Sequence, residues 1–278
     1  MSRLDDTFAG LRARRESGLI TYVTAGDPDL RRSAAVLRAL DHAGADVIEV
    51  GVPFSDPVAD GPVIERAAAR ARAAGGTLAS TLDLVDGIRP SIRAPLVLFS
   101  YLNPLLAMGE RRFCERAAAA GVDGVLVLDL PIEEADSFRT MAAAVGIDLI
   151  FLLSPTTSDR RVDAASSLGR GFLYVISRLG VTGARDTLAE DAPALVARIR
   201  SRTSLPIAVG FGLSTPEHVR QVGGWADGAV VGSALVSVVE TAADRPDLAE
   251  RVEHYVRWLK GEVVTADPPR EQTPGRAG

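Results

Sequence analysis

Apolar residues fall along the chain in two alternating rhythms. Short, nearly continuous apolar runs lie at Leu19–Thr24, Val47–Val52, Leu96–Tyr101, Gly124–Leu130, Asp148–Leu153, Phe172–Ser177, Pro206–Gly210 and Gly228–Val231. Runs of this length, apolar on both faces, read as strands of a parallel sheet covered on both sides. Between them the apolar positions recur every three to four residues, as in Arg31–His42, Val63–Ala74, Glu110–Ala120 and Glu133–Ala144, which predicts amphipathic helices. Eight strands separated by crossover helices, with no block of strands or helices alone, predict a (β/α)8 barrel of the TIM type. An open doubly wound sheet is the rival. Its usual Gly-x-Gly-x-x-Gly after the first strand is absent, because that turn reads Thr24-Ala25-Gly26-Asp27-Pro28.

The ends of the chain add two elements. Leu4, Phe8 and Leu11 share one face of a short helix over residues 2–14, placed to plug the N-terminal end of the barrel. A helix over Leu248–Lys260 closes the domain, so residues 1–265 are expected to form one barrel, followed by a disordered tail over 266–278. Within the barrel, the steps Gly44-Ala45-Asp46, Gly121-Val122-Asp123 and Gly146-Ile147-Asp148 recur just before strands, with glycine at a helix C-cap. Successive strands mostly start about 22–28 residues apart, the length of one compact βα unit. Two intervals are longer, after strands 2 and 6. In a barrel the loops after the strands build the site, so function is sought there.

Composition narrows the class. The 278 residues are 47% apolar and 24% charged, as in an ordinary globular domain, and aromatics are only 5%, so the core is aliphatic. A net charge of -5, with 31 Lys and Arg spread along the chain, argues against general nucleic-acid binding. The N-terminus has no apolar signal region and no window approaches a membrane span. The single cysteine, Cys114, lies in a helical pattern and reads as a buried structural thiol, which fits a reducing, cytoplasmic setting. His42, His218 and His254 are far apart without ligand spacing; solvated helix positions and no metal are expected.

Candidate chemistry centres on Asp46-Val-Ile-Glu-Val-Gly-Val-Pro-Phe-Ser-Asp-Pro-Val-Ala-Asp-Gly-Pro62. Alternation along this strand puts Val47, Glu49 and Gly51 on one side. Glu49 is then an acid inside the barrel, where loss of water raises its pKa and suits it to give and take protons near neutrality. A carboxylate paired with Arg or Lys across the barrel is the structural alternative. Asp60 is either a site residue or a cap for the helix near Pro62, and Asp56-Pro57 is a plausible turn. Tyr174 alternates with Phe172 and Ile176 on strand 6 and serves either as core filling or as an inward phenol. Gly210-Phe211-Gly212 follows strand 7, and Gly232-Ser233 follows strand 8 and opens a helix. Paired glycine turns at these strands, the second at a helix N-terminus, suit a phosphate, with Ser233 adding a hydroxyl and Gly183 allowing close backbone approach.

These motifs together resemble the tryptophan synthase alpha chain family. The resemblance rests on Tyr22-Val-Thr-Ala-Gly-Asp-Pro28, Glu49 through Pro62, Asp129-Leu-Pro131, Ser177-Arg-Leu-Gly-Val-Thr-Gly-Ala-Arg185, Val209-Gly-Phe-Gly212 and Gly232-Ser233. It spans the chain from near its start to the last helix. It implies retro-aldol cleavage of indole-3-glycerol phosphate to indole and glyceraldehyde 3-phosphate, with no metal or organic cofactor. By the same resemblance Glu49 protonates indole C3 and takes the proton from the glycerol hydroxyl. Asp60 holds the indole N–H, and Tyr174 orients the ring. Gly183, Gly212, Gly232 and Ser233 bind the phosphate. Tyr22, Tyr101, Leu126 and Phe211 line the indole slot, and Thr182 sits in a lid that closes on Asp60.

A beta chain carrying pyridoxal phosphate is the implied partner in an α2β2 heterotetramer. Pro53, Asp56, Asn103 and Pro104 match positions on the docking face. Leu128 and Leu179 depart from the family's pattern, the second within the lid. Three other readings share this sequence: a free-standing lyase, a phosphosugar isomerase or epimerase, and an inactive activator of the beta chain. The isomerase needs a metal or a second opposing acid or base where this chain offers an indole slot, and intact Glu49 and Asp60 speak against the inactive activator.

Overall fold

The computed structural model describes residues 1–176, 191–210 and 212–262. Strands β1 (Gly18–Thr24), β2 (Val47–Gly51), β3 (Leu96–Ser100), β4 (Gly124–Val127), β5 (Asp148–Leu153), β6 (Leu173–Ile176), β7 (Ile207–Gly210) and β8 (Gly228–Val231) pair in parallel and in sequence order. β8 returns to β1, through Gly18 opposite Gly228 and Ile20 opposite Val230, and closes the barrel. The helices are α1 (Arg3–Arg14), which stands apart from the outer layer, and around the barrel α2 (Leu30–His42), α3 (Pro62–Ala73), α4 (Leu78–Ile88), α5 (Leu102–Met108) and α6 (Glu110–Ala119). The outer layer continues with α7 (Asp136–Ala144), α8 (Asp159–Leu168), α9 (Ala192–Arg200), α10 (Pro216–Gly223), α11 (Ser233–Thr241) and α12 (Leu248–Leu259). The long interval after β2 holds both α3 and α4. Among the described residues, no helix is long and apolar enough to cross a membrane.

Two apolar layers follow from strand alternation. Outward residues such as Ile48, Val50, Leu98 and Val125 pack beneath the helices. Inward residues Val47, Val97, Leu126, Ile150 and Phe172 fill the barrel. α1 starts on a capping box between Ser2 and Asp5, and its Leu4, Phe8 and Leu11 join the inner layer. Phe8 meets Phe172 at a ring-centre distance of 5.5 Å. The expected plug is therefore present.

The recurring glycine–aspartate steps have a physical use. Gly44, Gly121 and Gly146 all take positive φ, as a helix stop requires. Two of the following aspartates, Asp46 and Asp123, then tie neighbouring strands at their N-terminal ends. Asp46 Oδ2 accepts from the Leu19 N–H at 2.8 Å, and Asp123 Oδ2 from the Leu96 N–H at 2.8 Å. Asp227 repeats this with the Ile207 N–H at 2.7 Å.

Two expectations need correction. The helix expected over Glu133–Ala144 begins at Asp136, preceded by a separate 3-10 turn over Ile132–Glu134. Ile132, Ala135 and Phe138 are all buried, so apolar spacing runs across the join and hides it. His218 is buried rather than solvated, whereas His42 and His254 are exposed. It lies in the first turn of α10, where its N–H donates to the capping Thr215 hydroxyl and its Nδ1 accepts from the Ser214 N–H.

Candidate active site

Glu49 sits on the inner side of β2, between Tyr22 on β1 and Val97 on β3 in register. It is fully buried, and neither carboxylate oxygen has a hydrogen-bond partner among the described residues. A cross-barrel ion pair is thus absent from the described residues. Burial alone lifts its carboxyl to about 8, so at neutral pH the group carries a proton. A buried acid with both oxygens unpaired forgoes the hydrogen bonds that would offset its loss of water, and a group of this kind in the middle of an inward-facing barrel strand points to chemistry.

Asp60 lies in the loop that leaves β2. It is not the cap of α3: the N-cap is Gly61, which makes no side-chain bond, and Pro62 starts the helix. Asp60 instead belongs to a small aromatic corner. The Ala59 N–H donates to the Tyr101 hydroxyl at 3.0 Å, and the Tyr101 ring stacks on Phe54 at 5.1 Å. Burial raises the Asp60 carboxyl to about 6, opposed by hydrogen bonding from the Tyr101 hydroxyl and assisted by nearby Glu65. Asp60 is therefore largely ionised at neutral pH, where Glu49 is largely protonated. The environment separates two carboxylates into an acid and an anion.

Between them stands an aromatic wall. Tyr22 meets Phe99 edge-on at 5.3 Å, and Phe99 meets Tyr174 at 6.3 Å. Tyr22 and Tyr174 are both buried, which drives their phenol pKa values up, and both feel the charge of Glu49. Tyr22 also feels Asp60. Each phenol lies across a glycine on the neighbouring strand. A Cβ at Gly51 would collide with the Tyr22 ring, and one at Gly210 with that of Tyr174. Gly51→Ala is accordingly expected to displace Tyr22 and destabilise the fold by about 1–3 kcal/mol, read as a lower urea midpoint. Leu126 closes the floor at full burial, and the departing Leu128 is half-buried against the same inner layer.

The glycine turns lie on the other side of the mouth. Gly212, after β7, has φ +80, a conformation that favours glycine. Its turn is held from behind by His218 on Ser214 and by the Tyr255 hydroxyl, which donates to the Ser214 carbonyl at 2.8 Å. Gly232 is the N-cap of α11 and makes no side-chain cap bond, and Ser233 is the buried first residue of the helix. The first N–H groups of α11 have no partner within the helix and form the positive end of its dipole, so this turn can hold an anion. The Cβ position at Gly232 lies 3.5 Å from Tyr22 Cβ, so the anion turn borders the aromatic wall.

The structure thus gathers Glu49, Asp60, Tyr22, Tyr101, Leu126, Tyr174, Gly212, Gly232 and Ser233 about one end of the barrel. Thr182, Gly183, Leu179 and Phe211 lie outside the described residues. Of the four residues expected on a docking face, Asp56 and Asn103 are exposed, Pro104 is half-buried, and Pro53 is buried close to Gly76. Reading the chain alone missed Phe99, which bridges Tyr22 and Tyr174, and a buried acid, Asp27, paired with Arg70. Phe99 was accessible from alternation on β3. Asp27 carried no periodic signal. Among the described residues, no group of three or more His, Cys, Asp or Glu side chains is placed to hold a metal ion.

Comparison with known proteins agrees with this geometry. The family model for the tryptophan synthase alpha chain matches residues 8–263. The tryptophan synthase alpha chain of Citrifermentans bemidjiense is 48% identical over 264 residues, covering 95% of this chain and 98% of the relative. That of Methylococcus capsulatus is 50% identical over 252 residues, covering 90% and 94%. Among solved structures, tryptophan synthase subunit alpha from Legionella pneumophila superposes with a TM-score of 0.84 at 36% identity, covering 93% of this chain and 97% of that one. A chain of Mycobacterium tuberculosis tryptophan synthase gives 0.85 at 36% identity, with 93% and 97% covered. The chain belongs to the tryptophan synthase alpha chain family.

Proposed function

We propose that this chain cleaves indole-3-glycerol phosphate to indole and glyceraldehyde 3-phosphate, with Glu49 as the acid and base of the reaction. The observation that carries this reading is Glu49 itself, an unpaired acid buried in the barrel and protonated at neutral pH. Indole is a poor leaving carbanion until C3 is protonated, which turns the ring into a cationic indolenine. Glu49 gives that proton to C3. The resulting carboxylate then accepts the proton of the glycerol hydroxyl as the carbon–carbon bond breaks, so the acid is regenerated for the next turnover. Asp60, ionised and beside the aromatic wall, takes the hydrogen bond from the ring N–H and stabilises the cation. Tyr22, Tyr101, Leu126 and Tyr174 hold the flat ring. Gly212, Gly232 and Ser233 hold the phosphate, fixing the scissile bond against Glu49.

The same family membership supports a partner. We assign the chain a tryptophan synthase beta chain carrying pyridoxal phosphate, in an α2β2 assembly, in the cytoplasm. Val58 in the loop after β2 and Leu106 in α5 are large apolar side chains left exposed, 86% and 51%, on the same two segments that present Asp56 and Asn103. An apolar pair beside polar neighbours suits a docking rim. A free-standing lyase uses the same residues, so the test is turnover of indole-3-glycerol phosphate with and without a beta chain. Indole release that rises at least about tenfold on adding the beta chain supports the alpha-chain reading. Release already fast and unchanged by it favours the free-standing enzyme.

A further inference from the structure

α3 and α11 begin at the two halves of the site: α3 follows Asp60 and Gly61, and α11 starts at Gly232 and Ser233. They meet over Tyr22 in a small apolar cluster of Ile64, Ala67 and Val236. Apolar contact is non-directional and does not by itself fix the register of two helices. A set of ion pairs at the outer end of that cluster does. The Arg70 fork gives Nε and Nη2 to Asp27 Oδ1 and Oδ2 at 2.8 and 2.9 Å, and Nη1 to Glu240 Oε1 at 2.7 Å. Arg66, one turn earlier on α3, holds both Glu240 oxygens at 2.7 and 2.8 Å. Asp27 is buried in the turn after β1, the strand that carries Tyr22.

Glu240 is placed against its own helix: it lies in the last turn of α11, where the dipole disfavours a carboxylate. Bidentate arginine contacts are the geometrically most specific of ion pairs, and a three-way fork cannot be reproduced by a point charge. Glu240 stands seven residues from Ser233, about 10 Å down the helix axis, so it touches no substrate. We propose that Asp27, Arg70 and Glu240 are positioning residues that set the phosphate-binding end of α11 at a fixed distance from Asp60 at the entry to α3. Substrate must then be gripped at both ends at once.

The proposal rests on the substrate reading above and can fail separately from it. A ligand that spans two subsites gains affinity over its halves only when both can be engaged together. Three uncleaved probes distinguish the cases by calorimetry: glycerol 3-phosphate for one end, indole for the other, and indole-3-propanol phosphate for both. Wild type is expected to bind the spanning probe far more tightly than either half. In Glu240→Gln and in Arg70→Lys, the spanning probe is expected to weaken about tenfold or more while each half changes less than about threefold. Arg70→Lys keeps the charge and supplies the test should Glu240→Gln fold poorly. An unchanged spanning probe in both variants, or equal weakening of all three probes, overturns the positioning role. A wild type that gains nothing from the spanning probe overturns the substrate reading, and the positioning role with it.

Discussion

Glu49→Gln is expected to lower indole release by roughly 10²–10⁴-fold with the fold retained. The amide keeps the size and buried position of the acid and removes the proton that C3 requires. The variant also separates chemistry from packing through its pH dependence. Glu49 has a carboxyl near 8 in the folded chain against 4.5 as an ordinary glutamate. Between those values the folded state binds the extra proton, so stability contributed by this group is complete below about 4.5 and is lost as pH rises through about 8. The loss is on the order of several kcal/mol by pH 9. Glu49→Gln has no such proton. Urea denaturation at pH 6 and pH 9 is expected to show wild type losing stability relative to the variant across that interval. Parallel stability of the two proteins contradicts a buried, protonated Glu49.

Asp60→Asn is the second large effect, a loss of roughly 10²–10³ in kcat/KM, the range for removing one electrostatic partner of a developing charge. Its pH profile carries the sharper information. The proposed reaction needs Asp60 ionised and Glu49 protonated. With carboxyls near 6 and near 8, kcat/KM should rise through the lower value and fall through the higher, a bell between them. In Asp60→Asn the residual activity should lose the acidic limb and keep the basic one. A variant that retains the rise near pH 6 assigns that limb to another group.

The fold was legible because each strand is buried on both faces and each helix on one, so two periods write out the barrel. The boundaries of β5 and β8 follow from the apolar runs alone, Asp148–Leu153 and Gly228–Val231. Glu49 was legible for the same reason, as a charge inside an otherwise apolar run. Asp60 was not. A loop acid before Gly-Pro looks the same whether or not it caps the helix, and only the backbone, which makes Gly61 the N-cap, tells the two apart. His218 was misread because helical spacing does not tell a solvated imidazole from one folded back on its own cap. The Asp27–Arg70–Glu240 set joins residues up to 213 positions apart, from Asp27 to Glu240, and no local pattern can pair them.

The proposed reaction depends above all on Glu49 holding its proton at neutral pH. Infrared difference spectra of wild type minus Glu49→Gln, taken from pH 4 to pH 10, read that proton directly through the carboxylic C=O band. The band is expected to persist through neutrality and to disappear with a midpoint near 8. A band already gone by about pH 5, as for an ordinary solvated glutamate, would contradict Glu49 as the acid that starts the reaction.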